Sequence, residues 1–146
     1  MKLTTKEVVS VYNVLKEAKL TKMEISDKMS VLKIMRVLKP ISEEWESFMQ
    51  TIDDKVKGEN HDEIIEKARE WERDKEKTTL SENEKREINE YLFKFNKDKN
   101  TCIGDELNKE LELDITKISS SAYEKLVESN DFEVDKLLTC EIIVNS

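Results

Sequence analysis

The side chains in this sequence that could do chemistry are one histidine, two cysteines and several adjacent acidic pairs. His61 lies beside Asp62 at the predicted start of a helix, where it could bind a metal ion together with nearby carboxylates. It could also activate Cys102 or Cys140 as a thiol nucleophile. No second histidine supports the metal site, and no local motif pairs His61 with either cysteine. We expect His61 to be a solvated surface residue and both cysteines to be small core residues.

Adjacent carboxylates could bind a divalent ion or share a proton. Such pairs occur at Glu43–Glu44, Asp53–Asp54 and Asp62–Glu63. Consecutive residues on a helix do not face each other, and a chain with 33 acidic residues contains such pairs by chance. Gly58 and Gly104 lie too far apart to form a phosphate-binding loop. The sequence therefore predicts a protein that is not an enzyme, with no catalytic residue, metal site or cofactor.

The segment from Lys22 to Gly58 carries the most regular helical pattern in the chain. Its apolar residues recur at three- and four-residue steps, at Ile25, Met29, Leu32, Met35, Leu38, Ile41, Trp45, Phe48, Ile52 and Val56. Pro40 lies inside this pattern and lacks a backbone donor, so we expect either a kink or two helices with Pro40 in the first turn of the second. We expect the apolar stripe to be buried as the core around which the other elements pack.

Three capping signals predict where other helices begin. Thr4 and Glu7 form a capping box, with a helix starting near Thr5. Asn60 with Glu63, and Ser81 with Glu84, repeat the signal. They are followed by apolar patterns that predict an αα-hairpin of segments 60–77 and 81–98.

The end of the chain changes its pattern. Polar residues 96–100 predict a break in the helix, with a short further helix over 105–110. Leu111, Leu113 and Ile115 then alternate with polar residues, which predicts a strand over 111–118. The β-branched segment 140–144 is its predicted partner.

These patterns predict a mainly α (α+β) fold. At 146 residues, with 40% charged residues, two glycines and one proline, the chain fits a single domain rich in long helices. We expect residues 1–110 to form an antiparallel helical bundle that includes the long charged αα-hairpin. A small β/α element over 111–146 completes it.

The formal net charge of −8 is distributed unevenly. Residues 1–40 hold nine Lys/Arg and four Asp/Glu, whereas residues 41–90 hold nine and seventeen. One interpretation is that basic and acidic helices pack together and offset each other. The other is that the acidic surface binds a basic partner or imitates nucleic acid, because surface charge governs association.

Composition also indicates where the protein acts. No CxxC motif or signal peptide is present, and no apolar run reaches the ~20 residues of a membrane span. We therefore expect a soluble protein of a reducing cytoplasm with no membrane partner. The basic residues of the first 40 positions are accompanied by one aromatic residue, Tyr12, so we do not expect direct nucleic-acid binding.

Two segments resemble a known group of proteins. Residues 22–29, Lys-Met-Glu-Ile-Ser-Asp-Lys-Met, and residues 106–118, Glu-Leu-Asn-Lys-Glu-Leu-Glu-Leu-Asp-Ile-Thr-Lys-Ile, are similar to small uncharacterised phage and prophage proteins of low-GC Gram-positive bacteria. The resemblance covers residues 1–57 and 84–140. It carries no catalytic or binding residue. It implies a virus-encoded protein that acts inside a bacterial cell or in a virion.

These observations lead to one functional hypothesis and one alternative. The hypothesis is a phage-encoded inhibitor of a bacterial defence system, such as an anti-CRISPR protein, that binds a host or viral protein complex through an acidic helical surface. Its expected partner-binding residues are Glu66, Glu70, Trp71, Glu72, Asp74 and Glu76. The alternative is a virion or tail-assembly protein that self-associates as a homo-oligomer through the apolar stripe of segment 22–58.

Overall fold

The computed structural model describes residues 1–76 and 79–146, of which 70% are helical. The helices of this described part are α1 (Thr5–Glu17), α2 (Ile25–Val56), α3 (His61–Arg73), α4 (Glu82–Leu107), α5 (Ser120–Glu128) and α6 (Val134–Glu141). Two strands, β1 (Lys2–Thr4) and β2 (Glu110–Glu112), form a small antiparallel sheet. The predicted mainly α fold with a small β element is confirmed.

The chain folds into two compact units. The first unit combines Met1–Phe48 with Glu106–Ser146, and the second comprises Met49–Asp105. Helix α2 therefore contributes its first part to one unit and its end to the other. Each unit has its own buried residues, and each is described below by itself.

The first unit begins with the predicted capping box. The Thr4 hydroxyl accepts the Glu7 backbone N–H at 3.2 Å, and the Glu7 carboxylate accepts the Thr4 backbone N–H at 2.8 Å. Two donors of the first helical turn are therefore paired, and α1 begins at Thr5 as predicted. Leu3 and Val8 are both buried beside this cap.

The core of the first unit contains residues from both the beginning and the end of the chain. Helix α1 contributes Val8, Val11 and Leu15, and α2 contributes Val31, Ile34 and Leu38. The later segments add Ile118, Ala122, Leu126, Cys140 and Ile143. Residues 111–146 therefore supply a large share of the core, and their removal would expose α1 and α2 to water.

The predicted face of α2 is wrong in its first half. The side chains of Ile25, Met29 and Leu32 are 80%, 41% and 39% exposed. The buried face of this part of the helix is formed instead by Val31 and Ile34. The first half of α2 carries apolar residues on two faces, and only one of them is covered within the first unit.

Pro40 does not divide segment 22–58 into two helices. Helix α2 runs without interruption from Ile25 to Val56, so the two-helix alternative is wrong. The Pro40 side chain is exposed, while Leu38 and Ser42 on either side of it are buried. Pro40 removes one helical hydrogen bond, and the helix continues on both sides of it.

The predicted pairing of segment 140–144 with strand 111–118 is found at one position only in the described part of the chain. Strand β2 pairs with β1, so that Leu111 lies opposite Leu3. Cys140 belongs to α6, and the only pairing between the two predicted strands in the described residues is one parallel bridge, Ile118 to Val144. The predicted strand is correct in its apolar alternation, because Leu111, Leu113 and Ile115 pack against the core.

The second unit has a small apolar interior. Ile52 and Ile88 are its buried hydrophobic residues within the described part of the chain. Helix α4 begins with the predicted Ser81–Glu84 cap, in which the Ser81 hydroxyl accepts the Glu84 backbone N–H at 3.2 Å. Asn60 occupies the N-cap of α3 but makes no side-chain capping bond, so that part of the prediction is wrong.

The predicted helix break at residues 96–100 does not occur. Helix α4 continues to Leu107, and no separate helix follows over 105–110. These residues are polar but include neither glycine nor proline, and Lys99 is paired with Asp53 at 2.7 Å. Polar residues on the solvated side of a helix do not end it. Residue 77, the predicted end of the preceding segment, lies outside the described residues.

Candidate functional site

Helix α3 is packed against α4 through aromatic and hydrogen-bonded contacts. His61 at the start of α3 contacts Tyr91 and Phe95, with ring centroids 5.7 and 4.8 Å apart. At the other end of α3, the Lys85 ammonium lies 5.8 Å from the centroid of the Trp71 ring. Early residues of α3 thus meet later residues of α4, so the two helices run antiparallel, as predicted for the hairpin.

His61 is part of this packing and is not a solvated residue. Its Nδ1 lies 2.6 Å from the Tyr91 hydroxyl, which also accepts the Gly58 backbone N–H at 3.1 Å. The His61 side chain is half-buried. The phenol therefore joins α4 to both the α2–α3 connection and the first residue of α3. This arrangement gives the imidazole a structural partner.

Replacing Tyr91 by phenylalanine tests this link. The variant keeps the ring and removes the oxygen that bonds to Gly58 and His61. We expect the free energy of unfolding to fall by about 1–2 kcal/mol, because a net hydrogen bond contributes about 1 kcal/mol. Urea unfolding followed by circular dichroism measures it. Tyr12→Phe, on α1 of the first unit, is the matched control, and an equal loss in both variants would contradict the assigned role.

The cysteines occupy different environments. Cys102 is exposed in the second unit, so the expectation that it is a core residue is wrong, while Cys140 is fully buried in the first unit. Both thiols are free. Burial raises the pKa of the Cys140 thiol from its ordinary value of 9.0 to about 11. Among the residues described, no group of three or more His, Cys, Asp or Glu is placed to hold a metal ion.

This difference predicts selective thiol labelling. At pH 8 a thiol reagent should modify Cys102 and leave Cys140 unmodified until the protein unfolds, because the reagent needs an accessible thiolate. Mass spectrometry of the labelled native protein measures the modification of each cysteine. Equal labelling of both thiols in the native protein would contradict the burial of Cys140.

The raised folded-state pKa of Cys140 also stabilises the fold below pH 9, and this contribution is lost as pH rises through about 11. Alkaline unfolding of Cys140→Ala, compared with that of the parent, measures this contribution to stability.

The predicted partner-binding residues lie on or just beyond α3, which has no buried residue. Glu66 and Glu70 are exposed and follow each other at a four-residue step, so they share one face. Glu63 precedes them on that face and is paired with Lys67 at 3.5 Å. We define the acidic stripe as Glu63, Glu66 and Glu70.

The remaining predicted residues do not share the acidic stripe. Trp71 is half-buried and, with Glu72, lines a groove of about 260 Å³ against Ile88 and Leu92 of α4. Asp74 and Glu76 follow the end of α3 and are exposed. The structure therefore brings Glu66 and Glu70 together and directs Glu72 toward the Trp71 groove.

The surface of α3 carries both signs of charge. Residues 61–76 hold seven Asp/Glu and four Lys/Arg, and Arg69 and Arg73 follow Glu66 at helical steps. The acidic stripe is thus bordered by cations. The surface therefore presents a pattern of both charge signs, and specificity in association depends on the arrangement of such charges.

No protein-family model, curated protein or solved structure matches this chain. No helix in the described part of the chain is long and apolar enough to span a membrane.

One aromatic contact and two sets of exposed apolar residues were not predicted from the sequence. The four-residue spacing of Tyr91 and Phe95 places both rings on one face of α4, and this spacing could have indicated an aromatic contact such as the one with His61. The exposed pair Val134 and Leu138 of α6 has the same four-residue spacing, and the two side chains are 70% and 59% exposed. The exposure of Ile25, Met29 and Leu32 had no signal, because two apolar faces on one helix look alike in sequence.

Proposed function

We propose that this protein acts without catalysis, by binding another macromolecule through the exposed surface of α3. The observation that carries the proposal is that α3 has no buried residue and displays the acidic stripe to solvent. A helix that contributes so little to a core is free to form an interface without a cost in folding. Trp71 borders the same surface and offers an aromatic contact, a residue type enriched at interface centres.

The partner that fits this surface is a protein complex with a basic groove of the kind that holds nucleic acid. This chemistry, together with the phage origin expected from residues 22–29 and 106–118, supports a role as an inhibitor of a bacterial defence system, such as an anti-CRISPR protein. In this role the acidic stripe competes with nucleic acid for the same basic residues. Such binding should weaken as ionic strength rises, because the charges of the stripe are exposed and screened by salt.

Charge reversal on α3 tests the proposal. The double variant Glu66→Lys/Glu70→Lys should bind the partner at least roughly tenfold more weakly than the parent, because it turns attraction into repulsion. The partner is first captured from a bacterial lysate at two salt concentrations and identified by mass spectrometry. Its affinity for each variant is then measured, together with inhibition of its nuclease activity.

The matched control carries the same change of charge on α4. Glu87 and Glu90 are exposed on that helix, and Glu87→Lys/Glu90→Lys should retain most of the affinity. Circular dichroism verifies that both variants fold. Equal affinity of the α3 variant and the parent would rule out the acidic stripe as the binding surface.

A second candidate function is self-association, as in a virion or tail-assembly protein. The observation that favours it is the exposure of Ile25, Met29 and Leu32 at four- and three-residue steps on α2. Three apolar side chains in a row on a folded surface are typical of an interface. Sedimentation velocity over a range of concentrations separates the two functions, since an inhibitor of this kind needs no homo-oligomer.

A further inference from the structure

The first unit exposes an apolar row on its longest helix. We call Ile25, Met29 and Leu32 the α2 row, and their spacing places them on one side of the helix. The surrounding residues are basic. Residues 22–39 hold five Lys/Arg and two Asp/Glu, and one of those acids, Glu24, is already paired with Lys125 at 3.1 Å.

The same unit has a second exposed apolar surface, between its last two helices. Tyr123 and Val127 of α5 and Leu137 of α6 line a groove of about 440 Å³. The Tyr123 hydroxyl donates to the Leu137 carbonyl oxygen at 3.1 Å, which holds the two helices together. Val134 and Leu138 extend the apolar surface along α6. We call these five residues the α5–α6 surface.

The border of the α5–α6 surface is acidic. Glu124 and Glu128 line the groove, and residues 119–146 as a whole hold six Asp/Glu and two Lys. The two apolar surfaces of the first unit therefore carry opposite charge around them. Each has the chemistry that the other would need in a partner.

One copy of the chain is not arranged to join its own two surfaces. Lys125 reaches Glu24, next to the α2 row, whereas Tyr123 reaches α6. These two residues of α5 are two positions apart, so they point to different sides of the helix. The α2 row and the α5–α6 surface thus lie on different sides of α5, and a contact between them requires two copies.

We propose that the α2 row of one copy docks on the α5–α6 surface of a second copy. The contact covers apolar side chains on both sides and places Lys28, Lys33 and Arg36 near the acidic border. Pairing of two α2 rows would bring like charges together, which opposes association. A head-to-tail contact leaves one free surface of each kind, so it closes into a ring or continues as a filament.

The inference rests on self-association, the second candidate function, and names the two surfaces that carry it. With three apolar side chains on one surface and five on the other, the contact is small and belongs with the weak interfaces that bury less than about 1,200 Å² in total. We therefore expect assembly that depends on protein concentration and weakens as salt is raised.

Two double variants of the full chain test the pairing. Ile25→Gln/Met29→Gln removes apolar side chains from the α2 row, and Val134→Gln/Leu138→Gln removes them from the α5–α6 surface. Neither changes the charge, and all four positions are exposed. Each variant alone should associate at least about tenfold more weakly than the parent in sedimentation velocity. Phe93→Gln, which replaces a 72% exposed residue of the second unit, should associate as the parent does.

Mixing the two variants gives the decisive result. Each retains the surface that the other lacks, so an equimolar mixture should form a 1:1 dimer that does not grow further. If the α5–α6 variant still assembles alone and the α2 variant does not, the α2 row pairs with something other than the α5–α6 surface, and the inference is wrong while self-association stands. A parent that remains monomeric at every concentration and at low salt overturns both.

Discussion

Replacing Leu126 by alanine is expected to lower the free energy of unfolding by about 2–5 kcal/mol, the range for removing a large aliphatic side chain from a packed core. Leu126 is fully buried on α5, in the cluster that joins α1, α2 and the last segments of the chain. The alanine removes apolar contact and leaves a cavity that rigid neighbours fill only in part. Urea unfolding monitored by circular dichroism gives the size of the loss.

The matched control is the same substitution at an exposed position. Leu138→Ala on α6 removes the same atoms from a side chain that is 59% exposed. We expect a change within about 0.5 kcal/mol, as for most surface substitutions. The comparison is made at a protein concentration low enough to keep both variants monomeric. Similar losses at the two positions would contradict the placement of Leu126 at the centre of the first unit.

Local signals in the sequence predicted local structure well. The Thr4–Glu7 and Ser81–Glu84 boxes identified the starts of α1 and α4, because capping depends on residues within one turn. Val8, Val11 and Leu15 recur at three- and four-residue steps in α1, and all three are buried. These features involve neighbours along the chain, and a sequence records them directly.

The choice between the two apolar faces of α2 could not be made from the sequence. Ile25, Met29 and Leu32 form as regular a stripe as Val31, Ile34 and Leu38. Which stripe is buried depends on α1, α5 and α6, whose packing is long-range. The pairing of β2 with β1 is of the same kind, because the two strands lie at distant places in the chain.

The candidate site was predictable in composition and not in arrangement. The acidic residues of segment 66–76 could be read from the sequence, and their exposure follows from their charge. The packing of Trp71 beside Lys85 and the position of Glu72 in the Trp71 groove depend on where α4 lies. A surface for recognition therefore needs the fold before its shape and charge pattern are known.

Replacing Asn130 by alanine is expected to destabilise the first unit by about 2–3 kcal/mol, because one side chain there makes three hydrogen bonds to the backbone and each contributes about 1 kcal/mol. Its Oδ1 accepts the Lys19 N–H, and its Nδ2 donates to the carbonyl oxygens of Lys19 and Leu126, all at 2.8 Å. Both backbone groups of Lys19 are thus held by a residue that follows α5. The side chain joins the α1–α2 connection to the end of α5.

The loss should come from these bonds rather than from the change of residue type. Asn108→Ala removes the same amide from an exposed position after α4 and should alter the free energy of unfolding by less than about 0.5 kcal/mol. Hydrogen exchange gives a second readout, since the Lys19 amide should lose protection in Asn130→Ala while α1 amides distant from it keep theirs. If the Lys19 amide is equally protected in both variants, Asn130 does not hold the connection. The neighbouring bond from the Lys22 N–H to the Ser129 hydroxyl, 2.9 Å long, would then be sufficient to fix α5 against the start of α2.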